Sequence, residues 1–260
     1  MTEPLESFVA AISKPLSLED CFLYAISSPA DLARRLQTSL AELERLAGDS
    51  SYKFWTTRNG RKIQEPKRAL QRIHGRVHKL LSRVEAPAYL HSSVRGHSYI
   101  TNAREHVSPE PAIKLDIRRF FPSVTRTTVF QFFHRRMRCA RDAAGLLARL
   151  LTCDGRLATG SRASSILAYY CFKNMFDELA TLAASRGLVL TCYVDDITIT
   201  GSASASYETL AQVRRIIADY ELRSHRVRRF DRHQPRIITG VVVTSKGIAL
   251  PNRRSLKIKQ

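Results

Sequence analysis

Two adjacent aspartates, Asp195 and Asp196, lie in the run TCYVDDITIT at positions 191–200. The residues before them, 188–194, are apolar and β-prone. Those after them (Ile197, Thr198, Ile199, Thr200) alternate with the period of a strand. Carboxylates at such a junction stand at a hairpin tip, where they can hold a divalent cation, although Asp is also an ordinary turn residue. A third carboxylate, Asp116, ends another short apolar strand over 112–115 and is followed by Ile117-Arg-Arg-Phe-Phe-Pro122. Three aspartates from two neighbouring strands supply enough oxygen ligands for magnesium, a hard cation whose remaining positions are filled by phosphates and water. A pair of such ions suits phosphoryl transfer, one activating the attacking oxygen and the other stabilising the leaving oxygen. On the residues alone, a polymerase, a nuclease and a phosphatase all remain open.

These side chains must be positioned by a mixed fold. With 44% hydrophobic residues the chain can bury a proper core, as one domain or two closely packed subdomains. The first fifty residues read as helices. Ser17 to Asp20 resembles a capping box, and Asp31 can cap a helix over 32–47 that stops at Gly48. Arg58-Asn-Gly60 is a hairpin turn signal between two short strands. From 67 to 84 apolar residues recur at helical spacing. Beyond Pro122 helices return, followed by the aspartate hairpin, a helix over 206–222, and closing strands over 237–243 and 247–250. Helices with a small antiparallel sheet predict the α+β class.

The charge balance points to a partner. Forty-two Lys and Arg against 23 Asp and Glu leave a formal charge of +19, with a pI near 10.3. Such an excess predicts a polyanion, bound with strong salt dependence. No stretch approaches the roughly 20 apolar residues needed to span a bilayer, so no membrane partner is expected. The start, MTEPLESF, lacks the basic region and apolar core of a secretory signal. Five scattered cysteines (21, 139, 153, 171, 192) without a C-x-x-C pair read as reduced, packed thiols of a cytoplasmic protein. His74 and His78, four apart on a helix, have the spacing of metal ligands but no Cys or carboxylate nearby.

DIRRFF (116–121) and YVDD (193–196) together resemble motifs A and C of reverse transcriptases, in that family's order. Leu157-Ala-Thr-Gly-Ser161 resembles motif B, and Arg61-Lys-Ile-Gln-Glu-Pro66 the fingers pattern. Asn102-Ala-Arg-Glu-His106 and Ile238-Thr-Gly240 resemble the Asn-Ala-x-x-His box and Val-Thr-Gly triplet of bacterial retron reverse transcriptases. The resemblance covers roughly residues 50–260. It implies a right-hand polymerase with an N-terminal helical segment (1–50), fingers (51–110), a palm (111–250) and a basic tail (251–260).

The resemblance also implies roles. Asp116 and Asp195 would be the principal ligands of two magnesium ions, Asp196 a supporting one, and the Ile117 carbonyl a further oxygen. Phe121 falls where the family places a ring beneath the incoming sugar, favouring deoxynucleotides; alternatively Phe120 and Phe121 are core aromatics, of which period two sends one inward. Gly160 and Ser161 would open a helix running to about Arg186, the glycine letting backbone approach the nucleotide. Here the block departs from the family: Ala158 and Thr159 replace Pro-Gln or Pro-Thr, and Arg162 and Ser165 replace prolines. Arg58 and Arg61 are candidates to grip the triphosphate, Arg61 the stronger, against the alternative that in so basic a chain an Arg contacts nucleic-acid backbone or nothing. Arg226 stands in place of a motif-D lysine, an electrostatic aid to leaving pyrophosphate but a poor proton donor. Asn102 and His106 would read RNA by hydrogen bonding; against this, Asn102 precedes Glu105 at capping-box spacing.

Taken together, the resemblance implies an RNA-directed DNA polymerase acting on deoxynucleoside triphosphates. A dedicated structured RNA would be template and primer, giving a DNA product joined to RNA, in anti-phage defence with an effector protein. Little sequence follows the palm, where the family continues into a thumb. A truncated form, or replacement of the thumb by RNA, a partner or another copy of the chain, would account for this. The alternatives are a group II intron or abortive-infection lineage, and a non-catalytic RNA-binding scaffold with a polymerase fold.

Overall fold

A computed structural model describes residues 15–204 and 206–249, so the basic tail at 251–260 lies outside the described residues. The chain divides into two compact units that interleave along the sequence. One uses residues up to Ala86, Arg126–Gly155 and Gly160–Ala163; the other uses Pro87–Thr125, Arg156–Thr159 and the chain from Ser164. The architecture is α+β with small antiparallel sheets.

In the first unit, Ser17 and Asp20 exchange hydrogen bonds as the sequence suggests, but they close turns and no helix follows. The helix expected over 32–47 is two helices, α1 (Pro29–Leu36) and α2 (Leu40–Leu46). Gln37 adopts a left-handed conformation (φ 58°) that ends α1, and Ser39 caps α2. Asp31 is not the cap of α1. Ser28 accepts the Asp31 amide, which frees the Asp31 carboxylate to pair with Arg34 and Arg35.

Strands β1 (Tyr52–Thr56) and β2 (Lys62–Pro66) form the expected hairpin, with Gly60 at φ 75° in its turn. Helix α3 (Arg68–Leu81) turns Leu70, Ile73, Val77, Leu80 and Leu81 inward. His74 lies on that inner face. Its Nε2 donates to the Leu150 carbonyl at 2.8 Å, and its Nδ1 meets the Ser161 hydroxyl at 2.6 Å, so both nitrogens are engaged without a metal. Gly160 donates to the Gln64 carbonyl of β2, and a Cβ there would stand 2.9 Å from that oxygen.

The order of the second unit begins with α4 (Tyr99–Arg104), β3 (Ala112–Ile117) and α5 (Phe120–Ser123). In the first unit α6 (Arg126–Gln131), α7 (Arg141–Leu151) and β4 (Thr152–Cys153) intervene, before β5 (Arg156–Leu157) returns the chain to the second. The long helix expected from Gly160 to Arg186 starts later and is broken. It becomes α8 (Ser164–Cys171) and α9 (Lys173–Ser185), interrupted at Phe172, whose ring lies 5.9 Å from that of Phe120. The Ser161 hydroxyl accepts the Ala163 amide, holding a turn where the helix was expected to begin.

Strands β6 (Val189–Tyr193) and β7 (Asp196–Thr200), helix α10 (Tyr207–Asp219) and strand β8 (Ser224–Phe230) complete a four-stranded antiparallel sheet in the order β6-β7-β3-β8. Ile113, Leu115, Ile117, Ile197 and Ile199 are buried on one face, as period two requires. Strand β8 presents Arg226, Arg228 and Arg229 along the sheet edge, charges that discourage edge-to-edge pairing. A second sheet contains β9 (Arg236–Ile238), β10 (Val241–Thr244) and β11 (Gly247–Ala249).

All five cysteines are free, and four of them are buried. Among the described residues no helix is long and apolar enough to cross a membrane. The tight approach at Gly160 yields a test. Gly160→Ala is expected to lower stability by about 1–3 kcal/mol, because the contact is with backbone that cannot swing away. Chemical denaturation of the two proteins checks this.

Candidate active site

The reactive groups gather where β3, β7 and β8 meet. Asp116 and Asp196 are direct cross-strand partners, as are Lys114 and Thr198, so all four side chains share the sheet face opposite the buried isoleucines. The carboxyl group that meets Asp116 is that of Asp196, and the two are hydrogen-bonded. Burial first, and that hydrogen bond second, raise Asp196 to about 6; the Lys114 ammonium, 3.2 Å from its Oδ1, opposes the rise. Oδ1 is buried and has no hydrogen bond of adequate geometry beyond this ion pair.

Asp195 occupies the two-residue turn between Tyr193 and Asp196, and its carbonyl accepts the Ile117 amide at 2.9 Å. Its neighbour Val194 has φ 59°, an unfavourable conformation for a β-branched residue that costs about 1–3 kcal/mol. The Ser92 hydroxyl accepts the Val194 amide at 3.0 Å and helps hold it. Residues 89–91 bond along the outer side of β6, so that edge is covered as well.

On the other flank, β8 bulges between its pairings with Lys114 and Asp116. Arg226 sits in the bulge at φ 51° and places Nη1 4.0 Å from Asp116 Oδ2, with its side chain 76% exposed. Such an exposed pair adds positive potential more than stability.

Phe120 and Phe121 do not continue the strand. Arg119 turns left-handed (φ 54°) and α5 begins, so the expected alternation is replaced by a helical turn. One ring is nevertheless buried and the other half-buried: Phe120 packs near Phe172 and Phe176, while Phe121 lies tilted beside it at 6.1 Å.

Other expected site residues lie outside this sheet. Arg58 and Arg61 stand exposed at the β1–β2 turn of the first unit. The close approach of Gly160 is to the β2 backbone, and the Ser161 hydroxyl is engaged by His74, so packing accounts for both residues. His106 is buried, with Nδ1 and Nε2 each 2.7 Å from the hydroxyls of Thr200 and Thr191. With both nitrogens spent inside the fold, it cannot read a base by hydrogen bonding. Asn102 is inside α4, not at its cap; Ser98 and Thr101 form that capping box.

The Asn102–His106 box instead joins the Ile238–Gly240 triplet. Thr239 (φ 46°) and Gly240 (φ 82°) form the two-residue turn between β9 and β10, where positive φ at both positions favours glycine. Asn102 Nδ2 lies 3.5 Å from Thr239 Oγ1, the Thr239 hydroxyl donates to the Tyr99 carbonyl, and Ala103 packs with Ile238, Val241 and Val243. Arg236 is buried beneath the box, donating to the carbonyls of His106, Ser108 and Glu110.

Sequence reasoning missed Lys114 and Ser92. Lys114 had a signal, since it lies two residues before Asp116 and must share its face. Ser92 had none, because it reaches Val194 only through tertiary packing.

Among the described residues no three His, Cys, Asp or Glu side chains group as a metal site. The donor set still fits magnesium, which commonly takes one or two carboxylates and completes its shell with water and substrate phosphates. Two carboxylates pressed together, one of them raised toward protonation, suit a hard cation.

Stability should respond to pH in two directions. A raised Asp196 makes the folded state bind the extra proton, so its contribution falls as pH rises from about 4 to 6. Asp196→Asn in chelator at pH 7 is expected to gain about 1–3 kcal/mol, read from denaturation midpoints. Burial lowers His74 and His91 to about 4 and His106 to about 3. The unfolded chain therefore takes up protons that the fold refuses, and stability should drop as pH falls below about 6.5. Melting curves from pH 7 to 4 should show this fall, steeper in Asp196→Asn.

No family model matches the chain. It is similar to the Retron Se72 reverse transcriptase of Salmonella heidelberg, 32% identical over 173 residues, covering 64% of this chain and 46% of that relative. It is also similar to the Retron Ec48 reverse transcriptase of Escherichia coli, at 25% identity over 74% of this chain and 52% of the relative. The Retron Mx162 reverse transcriptase of Myxococcus xanthus matches at 27% over 89% and 56%. The chain thus spans about half the length of the curated relatives it matches. A foamy viral protease–reverse transcriptase in complex with double-stranded DNA covers 80% of this chain and 31% of its own, with a TM-score of 0.48 and 14% identity. Across the matched spans, the chain is similar in sequence to proteins named as retron reverse transcriptases.

Proposed function

We propose that this protein is an RNA-directed DNA polymerase of the retron type, extending DNA on a structured RNA with deoxynucleoside triphosphates. The observation that carries the reading is the pairing of Asp116 with Asp196 across β3 and β7, with Asp195 on the adjoining turn. Homology to proteins named as retron reverse transcriptases supports it.

In this reading the second unit is the palm and the first carries the fingers. Asp116, Asp195 and Asp196, with the Ile117 carbonyl, are the groups that would hold two magnesium ions. When bound, these would activate the primer hydroxyl and neutralise charge on the leaving oxygen. Lys114 partly offsets the carboxylate charge of Asp196, and the bulge-held Arg226 adds positive charge beside Asp116 for departing pyrophosphate. Arg58 and Arg61 provide forked donors for a triphosphate. Phe121, half-exposed next to the anchored Phe120, is the ring that would exclude a 2′-hydroxyl. The formal charge of +19 suits the RNA and DNA partners. A defence role, an effector protein, self-association and a cytoplasmic setting rest on family analogy.

Purified protein with its co-purified RNA, labelled nucleotides and magnesium tests the reading. Asp195→Ala and Asp116→Asn are each expected to cut DNA synthesis by about a thousandfold or more. Incorporation surviving either change would refute the site. Phe121→Ala should relax discrimination against ribonucleotides by about tenfold or more, measured as a ratio of kcat/KM values.

A further inference from the structure

One strongly charged cavity is not used by this scheme. Arg118, Arg119, Arg156 and Arg223 line a space of about 350 Å³ in the second unit, together with Pro122, Ser123 and Glu221. Four guanidiniums thus face one carboxylate. Among the described residues none of the four forms an ion pair.

The cavity is built by backbone, not by the chance approach of long side chains. The Arg118 amide donates to the Arg223 carbonyl at 2.7 Å, fastening the end of β3 to the start of β8. Arg119 (φ 54°) and Glu221 (φ 59°) are both left-handed, each turning the chain at the cavity wall. The Arg156 guanidinium donates to the Pro122 carbonyl, which fixes a third side of it. Like charges held this way repel, and a cleft lined by one sign of charge concentrates counter-ions.

We propose that Arg118, Arg119, Arg156 and Arg223 form a binding pocket for a compact polyphosphate, with inorganic pyrophosphate as its simplest form. Guanidinium forks match phosphate oxygens two at a time. A nucleic-acid backbone spreads its charges along a groove, whereas these four converge on one space. Arg118 follows Asp116 by two residues, about 7 Å along an extended strand, so the pocket lies next to the paired aspartates. That the occupant is a reaction's diphosphate product rests on the polymerase reading; the binding chemistry does not.

Isothermal titration in chelator, with inorganic pyrophosphate and separately with a single-stranded RNA oligonucleotide, tests the pocket. Arg119→Gln and Arg223→Gln should each weaken pyrophosphate binding about tenfold, and the double variant about a hundredfold. RNA affinity should move less than about twofold in these variants. Circular dichroism confirms that the exposed substitutions keep the fold. Unchanged pyrophosphate affinity in the double variant, or no binding by the unaltered protein, overturns the proposal. So does a fall in RNA affinity and its salt slope with pyrophosphate unaffected, which would make the cluster a strand contact. If the unaltered protein makes no DNA yet binds pyrophosphate through these arginines, the pocket stands and the polymerase reading falls.

Discussion

The pairing of Asp116 and Asp196 across adjacent strands is an electrostatic cost that the rest of the four-stranded sheet is built to bear. Like charges directly opposite in a sheet destabilise it, and here they are partly buried as well. The compensation comes from the other face, where a continuous layer of isoleucine and leucine anchors β3 and β7. Lys114 supplies a local countercharge, and the proton retained by Asp196 removes some of the repulsion. What repulsion remains between the two carboxylates is of the kind that positive charge relieves, as Lys114 already does in part.

Left-handed residues recur around the same region. Val194, Arg119, Arg226 and Glu221 all have positive φ, although none is glycine. Val194 follows β6, Arg119 lies just past β3, Arg226 sits in the bulge of β8, and Glu221 closes the C-terminal turn of α10; at each the backbone changes direction. Such conformations persist because their surroundings over-determine them: Ser92 holds Val194, and the β3–β8 ladder holds Arg226. The same contacts, with the Ile117 amide on the Asp195 carbonyl and the Arg118 amide on the Arg223 carbonyl, tie the aspartate turn and the arginine cluster to one sheet.

The buried polar groups act differently. His74 joins α3 to Leu150 and Ser161, while His106 joins α4 to β6 and β7. Both are neutral, fully partnered and desolvated, so they fix packing without carrying charge. Of the two residues expected to contact RNA, His106 spends both ring nitrogens on Thr191 and Thr200, and Asn102 turns its amide nitrogen to Thr239.

The sequence by itself determined the α+β class, the β1–β2 hairpin and the two strands that carry Asp116 and Asp195–Asp196, because alternation, turn residues and acidic spacing are local signals. It also settled the basic charge, a property of composition. Tertiary structure decided which carboxylate faces Asp116, since register depends on pairing between strands about eighty residues apart. It decided that α8 and α9 are separate, that Gly160 serves packing against β2, and that His106 is sealed inside. Lys114, Ser92 and the four-arginine cavity belong to the same group, because each depends on residues distant in sequence being brought within a few ångströms by the fold.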